Sequence, residues 1–308
     1  MSLGTNTTRL LVVRDRDDGT VEQIDAAQAG TRLGEGLGDR GTLSAAGAQR
    51  TLTALVGFAE RARLRGAEPV AIATSAMRRA SDAAAFGERV REATGATPVV
   101  LSGYDEAVAS YVGATYSDAP AAGASVAVLD IGGGSTEFAF GQESTLRDAA
   151  SLEFGSVRIA ERFPDLRGST AGTPARQAAS RARAAVSEAL RSIRLEGAVD
   201  ELRCVAGTPL TLAALAAQTS VEHVGGSVLT RDAVDAVLER LLECDLEERR
   251  GLPGMLAQRA DILPAGAIIL SEAMRALRVS SGRATVDDLL LGYLVMHAPA
   301  GRKTALAE

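Results

Sequence analysis

The stretch LDIGGGSTEF, residues 129–138, places three consecutive glycines between two apolar runs and sets one carboxylate on each side of them. The preceding run, SVAVL, is typical of a buried strand, and the following run, TEFAFG, alternates as a second strand does. The stretch therefore predicts a strand, a glycine turn and another strand. Glycine allows backbone N–H groups to approach a ligand closely, and it also allows positive φ.

The chemistry of this turn indicates a ligand. Successive N–H groups in such a turn form an anion-binding concavity. The flanking carboxylates, Asp130 and Glu137, would repel a phosphate unless a divalent cation lay between them. We therefore predict that the turn binds phosphate together with Mg²⁺. The alternative is a tight hairpin with acids on the surface, for which three glycines are more than a hairpin needs.

The composition of the chain excludes several classes of protein. Aromatic residues make up 3% of the 308 residues and Trp is absent, so an aromatic stacking surface for nucleic acid is not expected. The formal net charge of −6 argues against bulk binding to DNA or to a membrane. Lys303 is the only lysine, so a phosphate clamp here would be built from arginine guanidinium groups.

Further features of the sequence predict a cytoplasmic protein. The chain has no apolar run of membrane length and opens with no signal-peptide pattern. Cys204 and Cys244 lie far apart and lack CxxC spacing, which favours two reduced thiols. His223 and His297 are isolated in the sequence and indicate neither a metal site nor a catalytic triad.

The order of predicted strands and helices favours an α/β protein of two domains. In residues 1–120, short apolar strands alternate with helices, which predicts a mixed sheet. The segment SDAPAAGAS, residues 117–125, is small and polar and contains proline, so we place the domain boundary there. Residues 121–308 begin with the glycine hairpin and then become mostly helical. The final helix, near residues 285–298, could pack back on the first domain.

A weak internal repeat links the two predicted domains. LGTNTTRL, residues 3–10, parallels IGGGSTEF, residues 131–138, because each is a turn of small residues beside an apolar strand. Two related domains that present such turns to a shared cleft would explain the repeat. Four further segments carry glycine, hydroxyl or charged residues at predicted strand ends, where open α/β sheets bind ligands. They are TRLGEGL (31–37), ATSAMRRA (73–80), LSGYDEA (101–107) and VAGTPLTLA (205–213).

These segments, in this order, resemble the exopolyphosphatase and guanosine pentaphosphate phosphohydrolase (Ppx/GppA) family, within the sugar kinase, Hsp70 and actin superfamily. LGTNTTRLLV looks like the first phosphate loop of that family, and DIGGGSTEF matches the second residue for residue. TSAMRRASD resembles the T-x-A-x-R-x-A segment, LSGYDEA the S-G-x-E-E-A segment, and VAGTPLTLAAL the G-G-T-x-x-T-L segment. SLEFGSVRIAERF and RADILPAGAIILSEAM resemble two further segments. The resemblance covers essentially the whole chain, and the length is similar to that of the short, two-domain members.

The resemblance implies two actin-like (ribonuclease H-like) α/β domains with a cleft between them, and hydrolysis of a terminal phosphoanhydride. Glu106 would be the base that activates water, with Asp105 as the alternative. Asp130 and Glu137 would hold Mg²⁺ or another divalent cation, directly or through its waters. The implied phosphate contacts are Asn6, Thr7, Arg32, Arg78, Gly132, Gly133, Gly134, Ser135, Gly207 and Thr208.

The resemblance leaves the substrate open. Inorganic polyphosphate is the first expectation, and guanosine pentaphosphate (pppGpp), losing its 5′-terminal phosphate, is the alternative. A nucleotide pocket usually has apolar or aromatic walls, so the scarcity of aromatic residues leans toward polyphosphate. A phosphate-ligand sensor that has lost catalysis is the non-enzyme alternative. The resemblance is also compatible with a homodimer and with closure of the cleft around the ligand.

Two positions depart from the family pattern. Ser2 stands where the first loop normally carries Asp, and the strand expected before that loop is nearly absent. We interpret Met1-Ser2-Leu3 as a leader or a misassigned start, with native residues lost upstream. If Ser2 is native, one carboxylate on the metal side is missing. The segment VDDLLLGYLV, residues 286–295, lacks the Arg of the family's final S-x-x-G-x-R-x-G segment, which removes one expected phosphate contact.

Overall fold

The strands of the first half form one mixed sheet. They are β1 (Ser2–Leu3), β2 (Thr8–Asp15), β3 (Val21–Ala29), β4 (Ala71–Ala73) and β5 (Pro98–Val100). The computed structural model describes residues 1–18, 20–193 and 198–297. The strand order is β3-β2-β1-β4-β5, in which β1, β2 and β3 form an antiparallel meander and β4 and β5 continue parallel to β1. The predicted mixed sheet is confirmed.

Helices follow these strands as the sequence pattern predicts. They are α1 (Leu37–Arg40), α2 (Ala45–Leu64), α3 (Ser75–Arg79), α4 (Ala83–Thr94) and α5 (Gly103–Tyr116). At the start of α2, the Ser44 hydroxyl accepts a hydrogen bond from the N–H of Gly47 at 2.9 Å. Such a cap satisfies one of the unpaired donors of the first helical turn.

The strands of the second half form a second mixed sheet around the glycine hairpin. They are β6 (Ser125–Ile131), β7 (Thr136–Gln142), β8 (Thr145–Leu152), β9 (Glu201–Val205), β10 (Val228–Thr230) and β11 (Ser281–Ala284). The strand order is β10-β11-β9-β6-β7-β8. The sequence did not predict β10 and β11, because runs of three and four residues are too short to show a periodic pattern.

The remaining helices cover this second sheet. They are α6 (Ser156–Arg162), α7 (Thr173–Leu190), α8 (Gly207–Ala217), α9 (Arg231–Glu243), α10 (Leu246–Arg250), α11 (Leu263–Ala276) and α12 (Leu289–Met296). Residue 298, the predicted end of the final helix, lies outside the described residues. Within the described ranges, none of the helices has the length and apolar character needed to cross a bilayer.

The two sheets repeat one topology. The order β3-β2-β1-β4-β5 in the first corresponds to β8-β7-β6-β9-β11 in the second, an antiparallel meander followed by two parallel strands. In both sheets the bend between the first two meander strands carries one of the two small-residue turns. The weak sequence repeat therefore coincides with a repeated strand topology.

Helix α5 connects the two halves by packing on both. One face, with Tyr111, lies in a core cluster with β6 and β7, whose buried side chains include Val126 and Val128. The other face, with Ala109, packs with Leu289 of α12 in a cluster that also contains residues of the first sheet. Helix α12 thus lies against α5 and against residues of the first sheet. The division of the chain at residue 120 stays a prediction, and α5 precedes it while packing on the second sheet.

A glycine pair sets the close packing of α5 against α12. A Cβ on Gly292 would lie 1.8 Å from the carbonyl oxygen of Ala109, and one on Gly113 would lie 2.1 Å from the carbonyl oxygen of Asp288. Real Cβ atoms cannot come so close to backbone, so both positions require glycine. This contact fixes the position of the helix whose first turn carries Glu106.

We expect Gly292→Ala to destabilise the chain, because the added methyl group would push α12 away from α5. Forcing an extra carbon into a packed interface typically costs about 1–3 kcal/mol in the free energy of unfolding. Chemical denaturation of the purified protein measures this difference.

Gly57→Ala is the matched control. Gly57 lies in α2, and a Cβ there meets nothing within 4 Å. Alanine at an open helical position should raise the free energy of unfolding by roughly 0.5–1 kcal/mol. Equal stability of Gly292→Ala and the wild type would contradict the described packing of α12.

Candidate active site

Each of the two small-residue turns contains the same type of internal backbone hydrogen bond, from its first residue to its fourth. In the turn between β1 and β2, the N–H of Gly4 donates to the carbonyl oxygen of Thr7 at 3.2 Å. In the turn between β6 and β7, the N–H of Gly132 donates to the carbonyl oxygen of Ser135 at 3.1 Å. The two turns, one from each sheet, come together at a single point of the molecule.

The glycines of the second turn are required by this close approach. A Cβ on Gly134 would lie 2.6 Å from both Ser75 Oγ and Thr5 Oγ1. A Cβ on Gly133 would lie 3.1 Å from Thr5 Cβ and 3.2 Å from the backbone nitrogen of Asn6. Positive φ, the other reason for glycine that the sequence suggested, does not apply to the three glycines of this turn. Steric contact between the halves, rather than backbone conformation, explains Gly133 and Gly134, whereas a Cβ on Gly132 would lie 3.0 Å from the carbonyl oxygen of Ser135 in the same turn.

A cavity of about 90 Å³ lies beside the contact between the turns. It brings together most of the residues that the sequence singled out: Asn6, Thr7, Glu106, Asp130, Gly132, Gly133, Gly134, Ser135, Glu137 and Gly207. Its lining also includes residues to which the sequence analysis gave no role, among them Thr5, Arg9, Thr74, Ala206, Arg259 and Leu289. The lining therefore combines carboxylates with hydroxyl, backbone amide and guanidinium groups.

Carboxylates from three positions converge on this cavity. Asp130 and Glu137 are register partners across the β6–β7 ladder, and Glu106 lies in the first turn of α5. Their exposed fractions are 8%, 2% and 5%, which rules out a hairpin with surface acids. Asp130 Oδ2 accepts a hydrogen bond from Ser110 Oγ at 2.7 Å, and Glu137 Oε1 accepts one from Ser151 Oγ at 2.7 Å.

Burial raises the pKa of all three acids. The pKa of Glu106 rises to about 7, although the nearby Arg78 opposes the shift. The pKa of Asp130 rises to about 6, against the hydrogen bond from Ser110. The pKa of Glu137 lies well above its ordinary value because of burial and then because of the charges of the other two acids. Burial removes water from around these carboxylates, and the nearby positive charges do not fully compensate for its loss. The site therefore stabilises a bound cation or a proton.

Arg259 contributes an unpaired guanidinium group to the cavity. It is 7% exposed, its Nε has no hydrogen-bond partner among the described residues, and its Nη2 lies 3.5 Å from Thr7 Oγ1. Burial lowers the pKa of Arg259 to about 10, and the charge of Arg9 acts in the same direction. Asn6 Oδ1 and Ser75 Oγ are likewise buried without a partner in the described part of the chain. A buried cation without a counter-ion is costly, so this side of the cavity is suited to an anion.

The backbone at the start of α8 lies in close contact with the guanidinium group of Arg259. A Cβ on Gly207 would lie 2.0 Å from Arg259 Nη2, so only glycine fits under the guanidinium group. The preceding residue, Ala206, has φ 73° and ψ −177°, a region that is populated almost only by glycine. The family pattern has glycine at this position. Thr208 does not line the cavity, and its hydroxyl lies 3.5 Å from the carbonyl oxygen of Ile131.

Two arginines that the sequence analysis expected to contact phosphate are instead bound by carboxylates. Arg32 forms a bidentate pair with Asp261, with distances of 2.9 Å and 2.5 Å, beside a separate small cavity. Arg78 forms an ion pair with Glu106 through Nη1 and with Glu153 through Nη2, the latter at 3.3 Å. Neither side chain lines the cavity between the turns. Their contacts with phosphate stay predictions.

Asp105, the alternative base, has a structural role. Its N–H donates to Ser102 Oγ at 3.1 Å, and its Oδ2 accepts from the backbone N–H of Ser102 at 3.3 Å, which forms a capping box at the start of α5. Asp105 is exposed and does not line the cavity. The position of α5 therefore favours Glu106 as the base.

The two departures from the family pattern meet at the edge of the cavity. Ser2 lines the cavity and is the register partner of Arg9 across the β1–β2 ladder. Arg9 forms an ion pair with Asp288, whose Oδ1 accepts the N–H of Leu290 at 3.0 Å at the start of α12. The final segment therefore contacts the strand after the first turn through the ion pair between Asp288 and Arg9. It has no arginine at the position where the family pattern carries one.

Sequence reasoning gave no role to Arg9 and Arg259. Each is the single arginine in a segment that resembles the family pattern: Arg9 in LGTNTTRLLV and Arg259 in RADILPAGAIILSEAM. Its place in such a segment is the sequence signal that could have identified it. The sequence does not show that Arg259 is unpaired while Arg32 has a carboxylate partner, because this depends on packing between segments more than 200 residues apart.

Asp130 and Glu137 are the residues that could hold a metal ion here. In the described ranges, no group of three or more His, Cys, Asp and Glu side chains is arranged to bind one. Mg²⁺ is commonly bound by one or two carboxylates, while water and phosphate oxygens complete its shell. The raised pKa values show that these hard oxygen donors lack neutralising charge. The residues present therefore fit a Mg²⁺ ion that arrives with a phosphate ligand.

Comparison with known proteins gives relatives along nearly the whole chain. Residues 12–288 match the model of the Ppx/GppA phosphatase family. Exopolyphosphatase 2 of Mycobacterium tuberculosis (strain ATCC 25618 / H37Rv) is 32% identical over 303 residues, which cover 93% of this chain and 91% of that protein.

Solved structures with the same architecture include a Ppx/GppA family member from Aquifex aeolicus. It is 27% identical, with a TM-score of 0.78 over 96% of this chain and 95% of that chain. An exopolyphosphatase from Cytophaga hutchinsonii, 22% identical, shares the fold with a TM-score of 0.82 and covers 95% of each chain. These likenesses confirm the predicted α/β fold with two sheets. With the family model matched over residues 12–288, the chain belongs to the Ppx/GppA phosphatase family.

Proposed function

We propose that this chain is a Mg²⁺-dependent exopolyphosphatase, which releases orthophosphate from the end of inorganic polyphosphate. The observation that carries the proposal is a single cavity that joins the unpaired guanidinium group of Arg259 to three buried carboxylates. A phosphoryl group needs cationic and N–H donors for its oxygens and a base for the attacking water. The family, which includes exopolyphosphatases, supports this class of reaction.

Glu106 is the base in this proposal. A carboxyl with a pKa of about 7 is partly ionised at neutral pH and is a stronger base than an exposed glutamate. The ion pair with Arg78 and the packing of α5 hold its side chain at the edge of the cavity. A water molecule placed beside Glu106 gives up a proton to this carboxylate as its oxygen bonds to the terminal phosphorus.

The two turns and Arg259 stabilise the negative charge on the phosphoryl oxygens. Backbone N–H groups of the glycine turn, the hydroxyls of Thr7 and Ser135, and the guanidinium group line one cavity. A Mg²⁺ ion held by Asp130 and Glu137 would supply charge neutralisation for the phosphate oxygens. The cytoplasmic location and the homodimer expected from the sequence stay predictions.

We expect Glu106→Gln to lower kcat for polyphosphate hydrolysis by about 10²–10⁴-fold, because the amide cannot accept the proton of the attacking water. KM should change little, since the side chain keeps its shape and does not bind the chain. Release of orthophosphate from long polyphosphate in the presence of Mg²⁺ measures both constants.

Asp105→Asn is the matched control, because it alters the neighbouring carboxylate, which caps α5 and does not line the cavity. It should keep kcat within a few-fold of the wild type, at a cost of about 1 kcal/mol in stability. Loss of activity in Asp105→Asn but not in Glu106→Gln would reverse the assignment. Binding of polyphosphate by the wild type without any release would make the chain a sensor.

The raised carboxyl pKa values predict that the ligand-free protein loses stability as pH rises. The pKa of Glu106 is about 7 in the folded chain against an ordinary value of 4.5. Its contribution is fully present below about pH 4.5 and is lost as pH rises through about 7, because folding favours the protonated form. This difference is on the order of 3 kcal/mol, and Asp130 and Glu137 act in the same direction.

The midpoint of thermal unfolding, measured without divalent cations, should therefore fall between about pH 5 and about pH 8. Glu106→Gln should remove part of this fall because its side chain does not titrate. A pH dependence that is the same in Glu106→Gln and the wild type would show that the Glu106 carboxyl is not buried in the folded protein.

A second candidate substrate is favoured by a neighbouring cavity of about 400 Å³. This cavity shares Arg9 and Gly207 with the phosphate cavity, and its walls include the aliphatic side chains of Leu10, Leu11, Leu210, Val221, Leu256, Val286 and Leu291. Its size and apolar character suit a nucleoside. The scarcity of aromatic residues had favoured polyphosphate over a nucleotide. In this cavity, aliphatic side chains supply the apolar walls that a nucleoside needs. Guanosine pentaphosphate would place its terminal phosphate at the turns and its nucleoside here.

Val221→Asp tests this second candidate. A carboxylate in the apolar wall should raise KM for guanosine pentaphosphate about tenfold or more while leaving KM for polyphosphate unchanged. Val228→Asp, at a valine that lies outside this cavity, is the control. Release of phosphate from both substrates, measured in parallel, decides between them. Equal effects of Val221→Asp on the two substrates would remove the nucleoside site.

A further inference from the structure

Three arginines surround one half-exposed carboxylate beside the proposed base. Glu153 lies between β8 and α6, and its carboxylate is 3.0 Å from Arg158, 3.3 Å from Arg78 and 4.0 Å from Arg79. We call Arg78, Arg79 and Arg158 the arginine cluster. Two of its members come from α3 in the first half and one from α6 in the second. The cluster therefore bridges the two halves of the chain.

The arginine cluster connects the buried base with solvent. Arg78 contacts Glu106 with Nη1 and Glu153 with Nη2, and the exposed fraction of the side chains rises from 6% at Glu106 through 20% at Arg78 to 49% at Glu153. Arg158 Nη1 also lies 3.4 Å from the carbonyl oxygen of Gly134, in the glycine turn. A chain of contacting side chains therefore leads from Glu106, which lines the phosphate cavity, through Arg78 to Glu153 at the surface, and we call this chain the path.

Positive charge exceeds negative charge along this path. The arginine cluster carries three guanidinium groups, and within the described part of the chain their ion pairs are with two carboxylates, those of Glu106 and Glu153. Burial lowers the pKa of Arg158, and the charge of Arg79 acts in the same direction, while Glu153 and Glu161 oppose the shift. An additional anion would be stabilised between these side chains.

The geometry of hydrolysis determines which anion reaches this path. The attacking water, beside Glu106, approaches the terminal phosphorus opposite the bridging oxygen. A bond forms between the water oxygen and phosphorus, the bridging P–O bond breaks with its electron pair left on the shortened chain, and one water proton passes to Glu106. The new orthophosphate then lies between Glu106 and the shortened chain. While that chain remains bound, the way out for orthophosphate leads past Glu106.

We propose that the arginine cluster is an exit site for orthophosphate, and that Glu153 occupies it whenever orthophosphate is absent. This inference rests on the proposed exopolyphosphatase function. Orthophosphate can pair with several guanidinium groups at once through its oxygens, whereas Glu153 offers a single carboxylate. When orthophosphate enters the cluster, Glu153 swings out into solvent. When Glu153 returns, it competes with the product and prevents the site from holding it.

The test uses the full chain, long polyphosphate as substrate and orthophosphate as an added product inhibitor. In the wild type we expect noncompetitive inhibition, because orthophosphate binds beside a bound chain. Glu153→Gln should lower the inhibition constant of orthophosphate about tenfold, since the competing carboxylate is gone. Arg158→Gln should raise it by a similar factor. Arg79→Gln repeats the second measurement at another arginine of the cluster, in case Arg158→Gln does not fold.

Glu239→Gln is the matched control, because Glu239 is an exposed carboxylate paired with an arginine, Arg176, away from the site. It should leave the inhibition constant unchanged. Competitive inhibition by orthophosphate that none of the cluster variants alters would overturn the exit site, even with hydrolysis intact.

Calorimetric titration of orthophosphate into the same variants separates this inference from the proposed function. If the wild type releases no phosphate from polyphosphate, the proposed function fails, yet the titration still examines the cluster. Tighter binding in Glu153→Gln together with weaker binding in Arg158→Gln or Arg79→Gln supports the site. Unchanged binding in these variants overturns it.

Discussion

Contact between the turn at 4–7 and the turn at 132–135 is the constraint on which the rest of the site depends. No side chain fits between Gly134 and its neighbours Thr5 and Ser75. Since each turn is the bend of a sheet meander, their contact brings the two sheets together at one point. The acids of the second sheet and of α5 then share a cavity with the hydroxyls and amides of the first turn. A larger residue in either turn would move one sheet and separate these groups.

Charge at this point is unsatisfied in both directions. Burial raises the pKa values of Glu106 and Asp130 and lowers the pKa of Arg259, and the nearby groups of opposite charge do not reverse these shifts. Elsewhere the chain pairs such groups directly, as Arg32 and Asp261 show. The unpaired arrangement costs folding stability in the ligand-free protein, and the packed cores of the two sheets offset that cost. A phosphate accompanied by a divalent cation supplies both missing charges at once.

The sequence predicted those parts of the structure that depend on local pattern. The glycine hairpin and its weaker copy near the N-terminus follow from short motifs with a physical reason for each residue. Pairings between distant segments could not be read in this way. Arg32 and Arg259 look alike in the sequence. The packing of residues 257–263 against the first half pairs Arg32 with the carboxylate of Asp261, whereas it brings Arg259 to the hydroxyl of Thr7. The short strands β10 and β11 were missed because they take their conformation from the sheet edge rather than from a pattern of their own.

The strained backbone at Ala206 has a consequence for attempts to make this protein more heat-resistant. Glycine would relax the residue, and by that criterion the position is an obvious choice for an engineer. Yet Ala206 directly precedes the glycine on which the Arg259 guanidinium rests, and its methyl group narrows the conformations open to that corner. Relief of the strain would give freedom of movement to the part of the chain that positions the anion. Thermal tolerance and rigidity of the site are therefore opposed at this residue, and a variant library selected for heat resistance alone would be expected to lose order where binding requires it.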